Sequence, residues 1–392
     1  MVLDVTGSNP VSRPKFLPVH PLLAWAQARQ PSLIRYIREL AECESPSDSP
    51  LDLKRFMDLF ADSIRDIADV EISGTHLLCR FQLPGNNKSG QVMALGHGDT
   101  VWPMGTLAKM PVREADGRLW GPGVLDMKAG LALFVHAMRA LRELDIPVAR
   151  TVVLQVNSDE ETGSRTSRAL TEQTARESMA VLVLEPGTGL SGKLKTARKG
   201  IGDYRLRATG VASHAGVDFE KGASGVVELA HQVGRIAGFT DLDRGVTVNC
   251  GTFSGGTRSN VVAESAETHI DIRVPTLADF HQLDQRFRAL QPVDPRCSLQ
   301  LSGGLNRPPM ERTPGVVALF ELAQAQASAF GVALEESATG GGSDGNFTAA
   351  LGIPTLDGIG AVGEGAHAAH ESILVDRLAD RLALLASLVA AL

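Results

Sequence analysis

A histidine and a carboxylate two residues apart, His97 and Asp99, stand where the apolar run 92–95 ends in Leu95-Gly-His-Gly-Asp-Thr-Val-Trp102. An apolar run bounded by glycine reads as a buried central strand, and ligands of open parallel sheets collect at the carboxyl ends of such strands. Both side chains are therefore expected at a crevice. Further acidic groups stand in similar places. The run 151–156 leads into Asn157-Ser-Asp-Glu160-Glu161-Thr-Gly163, and the run 180–184 into Glu185-Pro-Gly187. Asp126 lies in Trp120-Gly-Pro-Gly-Val-Leu-Asp126-Met-Lys-Ala-Gly130, ahead of a helical apolar stripe. Late in the chain, Gly363-Glu-Gly-Ala-His367-Ala-Ala-His370-Glu371 offers two histidines. His97, Asp126, Glu161, Glu185 and one of these histidines make two imidazoles and three carboxylates. Such a set binds two divalent ions if one carboxylate bridges them, each ion also taking one histidine and one further carboxylate and keeping a position for water. Taken singly, Asp126 reads as a helix N-cap, and His97 with Asp99 as a satisfied histidine beside a turn. Metal-type ligands placed repeatedly after apolar runs are harder to explain that way.

The elements that must position these groups follow from periodicity. Helical spacing over 21–43 predicts a helix that Pro31 should kink or split, and 51–68 predicts an amphipathic packing helix. Strands are expected at 76–83 and 91–96, joined by a hairpin-like turn at 84–90. Leu131, Phe134, Val135, Met138 and Leu141 form the next helical stripe. Strands alternating with helices imply an α/β fold, a mostly parallel sheet with helices on both faces. From about Lys195 the texture changes. Strands at 201–208, 246–253, 267–274 and 298–302 and helices at 222–237 and 277–290 give the order βαββαβ, a ferredoxin-like domain inserted in the larger one. The reading is therefore a catalytic domain from 1–195 and 309–392, with 196–308 inserted. A helix at 314–330, a turn at 339–345, a strand at 353–356 and a closing helix at 374–392 complete the chain.

Composition narrows the function classes. With 392 residues the chain has room for two cores, and 43% apolar with 21% charged residues is an ordinary globular balance. A net charge of -7 without a basic block argues against a nucleic-acid surface. The four cysteines are scattered, without the close pairs of zinc ribbons or redox motifs. Residues 1–21 hold no continuous apolar stretch of the export-signal kind and no segment reads as membrane-spanning, so a cytoplasmic location is expected. No Gly-x-Ser-x-Gly elbow and no cysteine paired with a base supports nucleophilic catalysis. Gly340–Gly342 is not followed by the Lys-Ser or Lys-Thr of a phosphate loop, which leaves a turn lining the substrate site.

Five motifs in order, Gly96-His-Gly-Asp-Thr-Val101, Gly121-Pro-Gly-Val-Leu-Asp-Met-Lys-Ala-Gly130, Asp159-Glu-Glu-Thr-Gly163, Ser213-His-Ala-Gly216 and Thr339-Gly-Gly-Gly-Ser-Asp344, resemble one family. It is that of the two-zinc peptidases and deacylases, which includes acetylornithine deacetylase, succinyl-diaminopimelate desuccinylase, aminoacylases and bacterial glutamate carboxypeptidases. The resemblance runs from about Leu33 to the end. It implies that Asp126 bridges two zinc ions, His97 and Glu185 complete one, and Glu161 and a late histidine the other. Gly-Ala-His followed after three residues by Glu favours His367, with His370 in reserve. Cobalt or manganese is able to replace zinc in such ligand sets. Asp99 matches the carboxylate that orients His97 and raises its basicity. Glu160 is the expected general base, taking a proton from water and later passing it to the leaving amine. His214 matches a histidine that stabilises the tetrahedral oxyanion, and does so from the partner subunit of a dimer formed through the inserted domain.

Asn260 and Arg273 resemble the residues that hold the substrate's free carboxylate; Arg273 read alone is an ordinary strand-end ion pair. Gly192-Lys193-Leu, Arg198-Lys-Gly200 and Asn306-Arg307-Pro bring the glutamate carboxypeptidases nearest, with Lys193 and Arg307 expected around a substrate glutamate. The expectation is an enzyme that hydrolyses the amide bond of a small peptide or N-acyl amino acid. A deacylase with the same ligands is the rival reading, and a non-catalytic binding protein would have lost a ligand or the base.

Overall fold

The computed structural model describes residues 20–86 and 88–392. The expectation drawn from the first residues, that no export signal precedes Pro21, lies outside the described residues. Six strands form the main sheet, in the spatial order Ala68–Ser73, His76–Phe81, Thr151–Asn157, Gln91–His97, Ser178–Val183 and Thr355–Leu356. The first two pairings are antiparallel and the other three parallel. Gln91–His97 is buried along its whole length because it lies between two strands and under helices on both faces. Its alternation assigns the faces: Val92 and Ala94 join the core under helices Pro21–Glu42, Ala129–Glu143 and Leu378–Ala391, while Met93 and Leu95 pack with Ala175 of helix Arg168–Arg176.

A second sheet has its own core. Its strands lie in the order Thr247–Cys250, Ser265–Val274, Gly200–Thr209, Ser298–Arg307, all antiparallel. Tyr204, Leu206, Ala208, Ile270 and Ile272 face helices Gly225–Ala237 and Leu277–Arg288, burying Leu229 and Phe287. The order along the chain is βαββαβ, as the periodicity predicts.

Four local expectations are corrected. Pro21–Glu42 is a single helix with Pro31 inside it. Leu22, Ala26, Leu33, Ile37 and Leu40 form one buried stripe that runs past the proline, and their burial outweighs the roughly 3 kcal/mol a proline costs in a helix. The strands His76–Phe81 and Gln91–His97 are not a hairpin, since Thr151–Asn157 pairs with both and lies between them. The second helix stops at Ile64, and Ala68–Ser73 becomes an edge strand. The last strand of the second sheet continues past Ser302 to Arg307, because pairing with Gly200–Thr209 carries on through Gly303 and Gly304, residues that hide a strand from side-chain periodicity. Among the described residues no helix is long and apolar enough to cross a membrane.

Candidate metal centre

Three parallel neighbours end side by side and present their next residues to one space. His97 closes its strand level with Asn157, Glu160 and Glu161 follow the Thr151–Asn157 strand, and Glu185 follows Ser178–Val183, where Leu184 N–H donates to the Leu95 carbonyl at 2.9 Å. Asp126 comes from the other side, on the turn before helix Ala129–Glu143. That helix reaches the sheet because residue 130 is glycine: a methyl group there would overlap the Leu184 carbonyl oxygen. Gly98 likewise leaves room for the Phe56 ring beside the His97 turn.

The resulting geometry is centred on Asp126. One of its oxygens lies 3.2 Å from His97 Nε2 and the other 3.1 Å from His367 Nε2. His97 Nε2 is also 3.6 Å from Glu185, and His367 Nε2 is 3.2 Å from Glu161. Two half-sites thus share one carboxylate: His97 with Glu185 on one side, His367 with Glu161 on the other. Among the described residues, His97, Asp126 and Glu161 offer ligand atoms all within 4.8 Å of one another. Imidazole nitrogens and carboxylate oxygens, each half-site with one of the former, are the donors that zinc and its neighbours in the periodic table take, so the residues fit a pair of divalent ions. His370, the reserve candidate, is exposed on the same loop and forms no ion pair with the cluster among the described residues. His367 itself has φ 61°, a left-handed backbone uncommon outside glycine, and such outliers gather at functional sites.

The electrostatics show a site short of positive charge. Burial alone would depress the His97 imidazole, yet its bonds with Asp126, Asp99 and Glu185 prevail and hold it well above its ordinary value. Hydrogen bonds to Asp126 and Glu161 push His367 up to about 10. Burial raises Glu160 well above the usual carboxylate range, against the opposing pull of Arg307, and raises Glu161 in the same sense.

Asp99 does more than the sequence suggests. Its carbonyl lies 2.9 Å from His97 Nδ1, and its carboxylate accepts the backbone N–H groups of Glu160 (3.2 Å) and Glu161 (3.1 Å). One residue therefore orients both an imidazole and the adjacent glutamates. Arg307, expected around a substrate glutamate, makes contacts within the protein. Its buried guanidinium lies 3.0 Å from Glu160 Oε1 and 2.6 Å from Asp344 Oδ1, and also donates to the Glu160 carbonyl (2.9 Å) and to Ser164 (3.0 Å). Lys193 pairs with Glu335 at 2.5 Å. Arg273 forks onto Asp271, both contacts at 2.9 Å, as the plain ion-pair reading has it, and reaches the Gly340 carbonyl at 3.4 Å. His214 and Asn260 are exposed neighbours, Ala215 N–H donating to the Asn260 carbonyl at 3.0 Å. Among the described residues His214 makes no ion pair or hydrogen bond with the cluster; its ring accepts from Gly216 N–H.

Two participants escape the sequence. Asp344 appears there only inside a motif, and its partnership with Arg307, Asn157 and Ser164 depends on strands far apart in the chain. Glu371 appears only as a marker for His367, although it is fully buried against the Asp126 turn.

Residues 93–391 match the model of peptidase family M20/M25/M40, and the chain belongs to that family. It is accordingly a metallohydrolase acting on amide bonds. Carboxypeptidase G2 of Pseudomonas sp. (strain RS-16) is 32% identical over 279 residues, 70% of this chain and 67% of that protein. The aminopeptidase PepT of Bacillus cereus has the same fold, with a TM-score of 0.76 at 23% identity over 92% of this chain and 98% of its own. So does the YXEP protein of Bacillus subtilis, a dinuclear metal-binding peptidase, with a TM-score of 0.69 at 14% identity over 93% and 98% of the two chains.

Removing Arg307 strands two buried carboxylates, a defect that commonly costs about 3–5 kcal/mol. Arg307→Ala is therefore expected to lose stability on that scale in urea denaturation without any substrate present. A variant as stable as the parent would return Arg307 to a role in substrate binding alone.

Proposed function

We propose that this enzyme is a two-metal carboxypeptidase that releases a C-terminal amino acid, preferentially glutamate, from small peptides or N-acyl amino acids. The observation that carries the reading is the position of Asp126, with one oxygen toward His97 and the other toward His367. His97, Asp126 and Glu185 would hold one ion, and His367, Asp126 and Glu161 the other, with zinc the metal best suited to these donors. The dinuclear metal binding of the similarly folded YXEP protein supports that count. Divalent ions held there would polarise the substrate carbonyl and lower the pKa of water toward about 7.

The remaining work falls to side chains. Glu160 accepts a proton from the attacking water and delivers it to the leaving amine, so no covalent intermediate is needed. Arg307 holds the Glu160 carboxylate and Asp99 the Glu160 backbone in place. Asn260 and Arg273 bind the free carboxylate of the departing residue, Arg273 exchanging its fork from Asp271 to the substrate. Lys193 provides charge for an acidic side chain. The glutamate preference draws its support from these cations, and the carboxypeptidase reading from the likeness to carboxypeptidase G2.

His214 completes the site from a second copy of the chain. Residues 196–308 act as an inserted domain whose surface forms the dimer, and 1–195 with 309–392 as the catalytic domain. The support is a groove lined by Phe219, Val226, Val227 and Val262 in which Phe219 is 67% and Val227 56% exposed, an apolar surface that a second copy would cover. His214 precedes this surface directly and points at nothing in its own chain's cluster.

Two measurements test the proposal. After chelation the enzyme should be inactive and regain its rate with zinc or cobalt. Profiled on N-acyl and dipeptide substrates, it should favour C-terminal glutamate over alanine and ornithine. Preference for an acylated basic or neutral amino acid would replace the carboxypeptidase reading with that of a deacylase. The dimer is tested by exchange between Glu160→Ala and His214→Ala subunits, each nearly inactive alone. A mixed dimer holds one site with its own Glu160 and a borrowed His214, so activity should return. Verified mixed dimers that stay inactive would place His214 outside the partner's site.

A further inference from the structure

The Glu371 carboxylate lies where three segments meet, and each segment carries one of the residues assigned above to metal. Oε1 accepts the backbone N–H groups of Leu125 (2.9 Å) and Asp126 (3.1 Å). Oε2 accepts Gly123 N–H (3.0 Å) and the indole N–H of Trp102 (2.8 Å). Three of these donors belong to the turn that presents Asp126. The fourth belongs to the stretch that follows His97. Glu371 itself ends the loop of His367, four residues on, and its own carbonyl accepts Gly121 N–H at 3.2 Å. The side chain is fully buried, so the interaction is not shared with solvent. Burial works to raise its proton affinity, and the four donated hydrogen bonds work against that.

We infer that Glu371 is the positioning residue of the metal pair: its carboxylate sets the separation of His97, Asp126 and His367 and holds the strained His367 backbone in place. The inference rests on the two-metal reading. Asp126 is able to serve two ions only if its oxygens keep both imidazoles at equal reach. Among the described residues no backbone hydrogen bond joins the stretch after His97 to the His367 loop; the Glu371 carboxylate, through Trp102, supplies that link. A glutamine cannot replace it. Each oxygen faces two donors, so an amide NH₂ in either position meets donors on both sides and breaks two hydrogen bonds. The change alters no ligand and little volume, which separates positioning from ligation.

The test uses the full-length protein, stripped of metal and titrated with Co²⁺ alone. Glu371→Gln should bind Co²⁺ about 10–100-fold more weakly than the parent, the usual effect of losing a group that orients ligands. Its cobalt absorption spectrum should shift, and the rise in Tm that saturating Co²⁺ gives the parent should shrink. A purely structural role would lower the Tm of the metal-free and loaded forms alike and leave that increment, the affinity and the spectrum unchanged. That result overturns the inference and leaves the metal site standing. If the parent binds no Co²⁺, the two-metal reading falls and this inference with it. Should Glu371→Gln fail to fold, Trp102→Phe carries the test. It deletes one of the four donors and should weaken Co²⁺ binding severalfold, whereas affinity equal to the parent would overturn the inference.

Discussion

One carboxylate group shared between two imidazoles governs this structure. Asp126 meets His97 at 3.2 Å and His367 at 3.1 Å, within a buried group that also holds Glu160, Glu161 and Glu185. Like charges at such range repel strongly in a partly desolvated space, and the only arginine in contact with these carboxylates among the described residues is Arg307. The imidazoles answer by holding protons far more tightly than usual. Divalent cations would meet the same demand with more charge and fixed directions. A family of metallohydrolases is a natural setting for such an arrangement.

The fold is organised to bring these groups close, the carboxylates largely buried and His367 at the solvent side. Parallel strands end together, so His97, Glu160, Glu161 and Glu185 arrive on one edge. Helix Ala129–Glu143 presses Asp126 onto that edge through the bare backbone at Gly130. Asp99, Arg307 and Glu371 then fix orientation: the first through two backbone amides, the second through a buried ion pair, the third through four donors. Arg307 arrives at the end of a strand of the second sheet, which ties that sheet's position to the glutamate it holds.

Much of this was legible in the order of residues. His97, Glu161 and Glu185 each follow an apolar run, and a run's end marks the edge of a sheet before any pairing is known. Asp126 stood just before a helical stripe and gained its bridging role from the resemblance of its motif, and His367 stood out by its spacing to Glu371. The spacing to Glu371 already favoured His367 over His370, and in the structure His367 Nε2 reaches Asp126 at 3.1 Å. Legibility failed where a role depends on contacts across the chain. Nothing near Glu371 in sequence announces that its partners are backbone amides some 245 positions earlier. The sequence placed Arg307 only around a substrate glutamate, because its protein partners, Glu160 and Asp344, are brought to it by separate elements. Pro31 misled for the opposite reason: a local rule was outweighed by a long buried stripe.

Whether Asp126 is shared by two ions can be seen in anomalous diffraction from crystals of the metal-loaded enzyme, recorded at the absorption edge of zinc or cobalt. Two peaks are expected about 3.5–4 Å apart, one on each side of the Asp126 carboxylate, with His97 and Glu185 at the first and His367 and Glu161 at the second. A single peak, or a pair that leaves Asp126 out, would contradict that sharing.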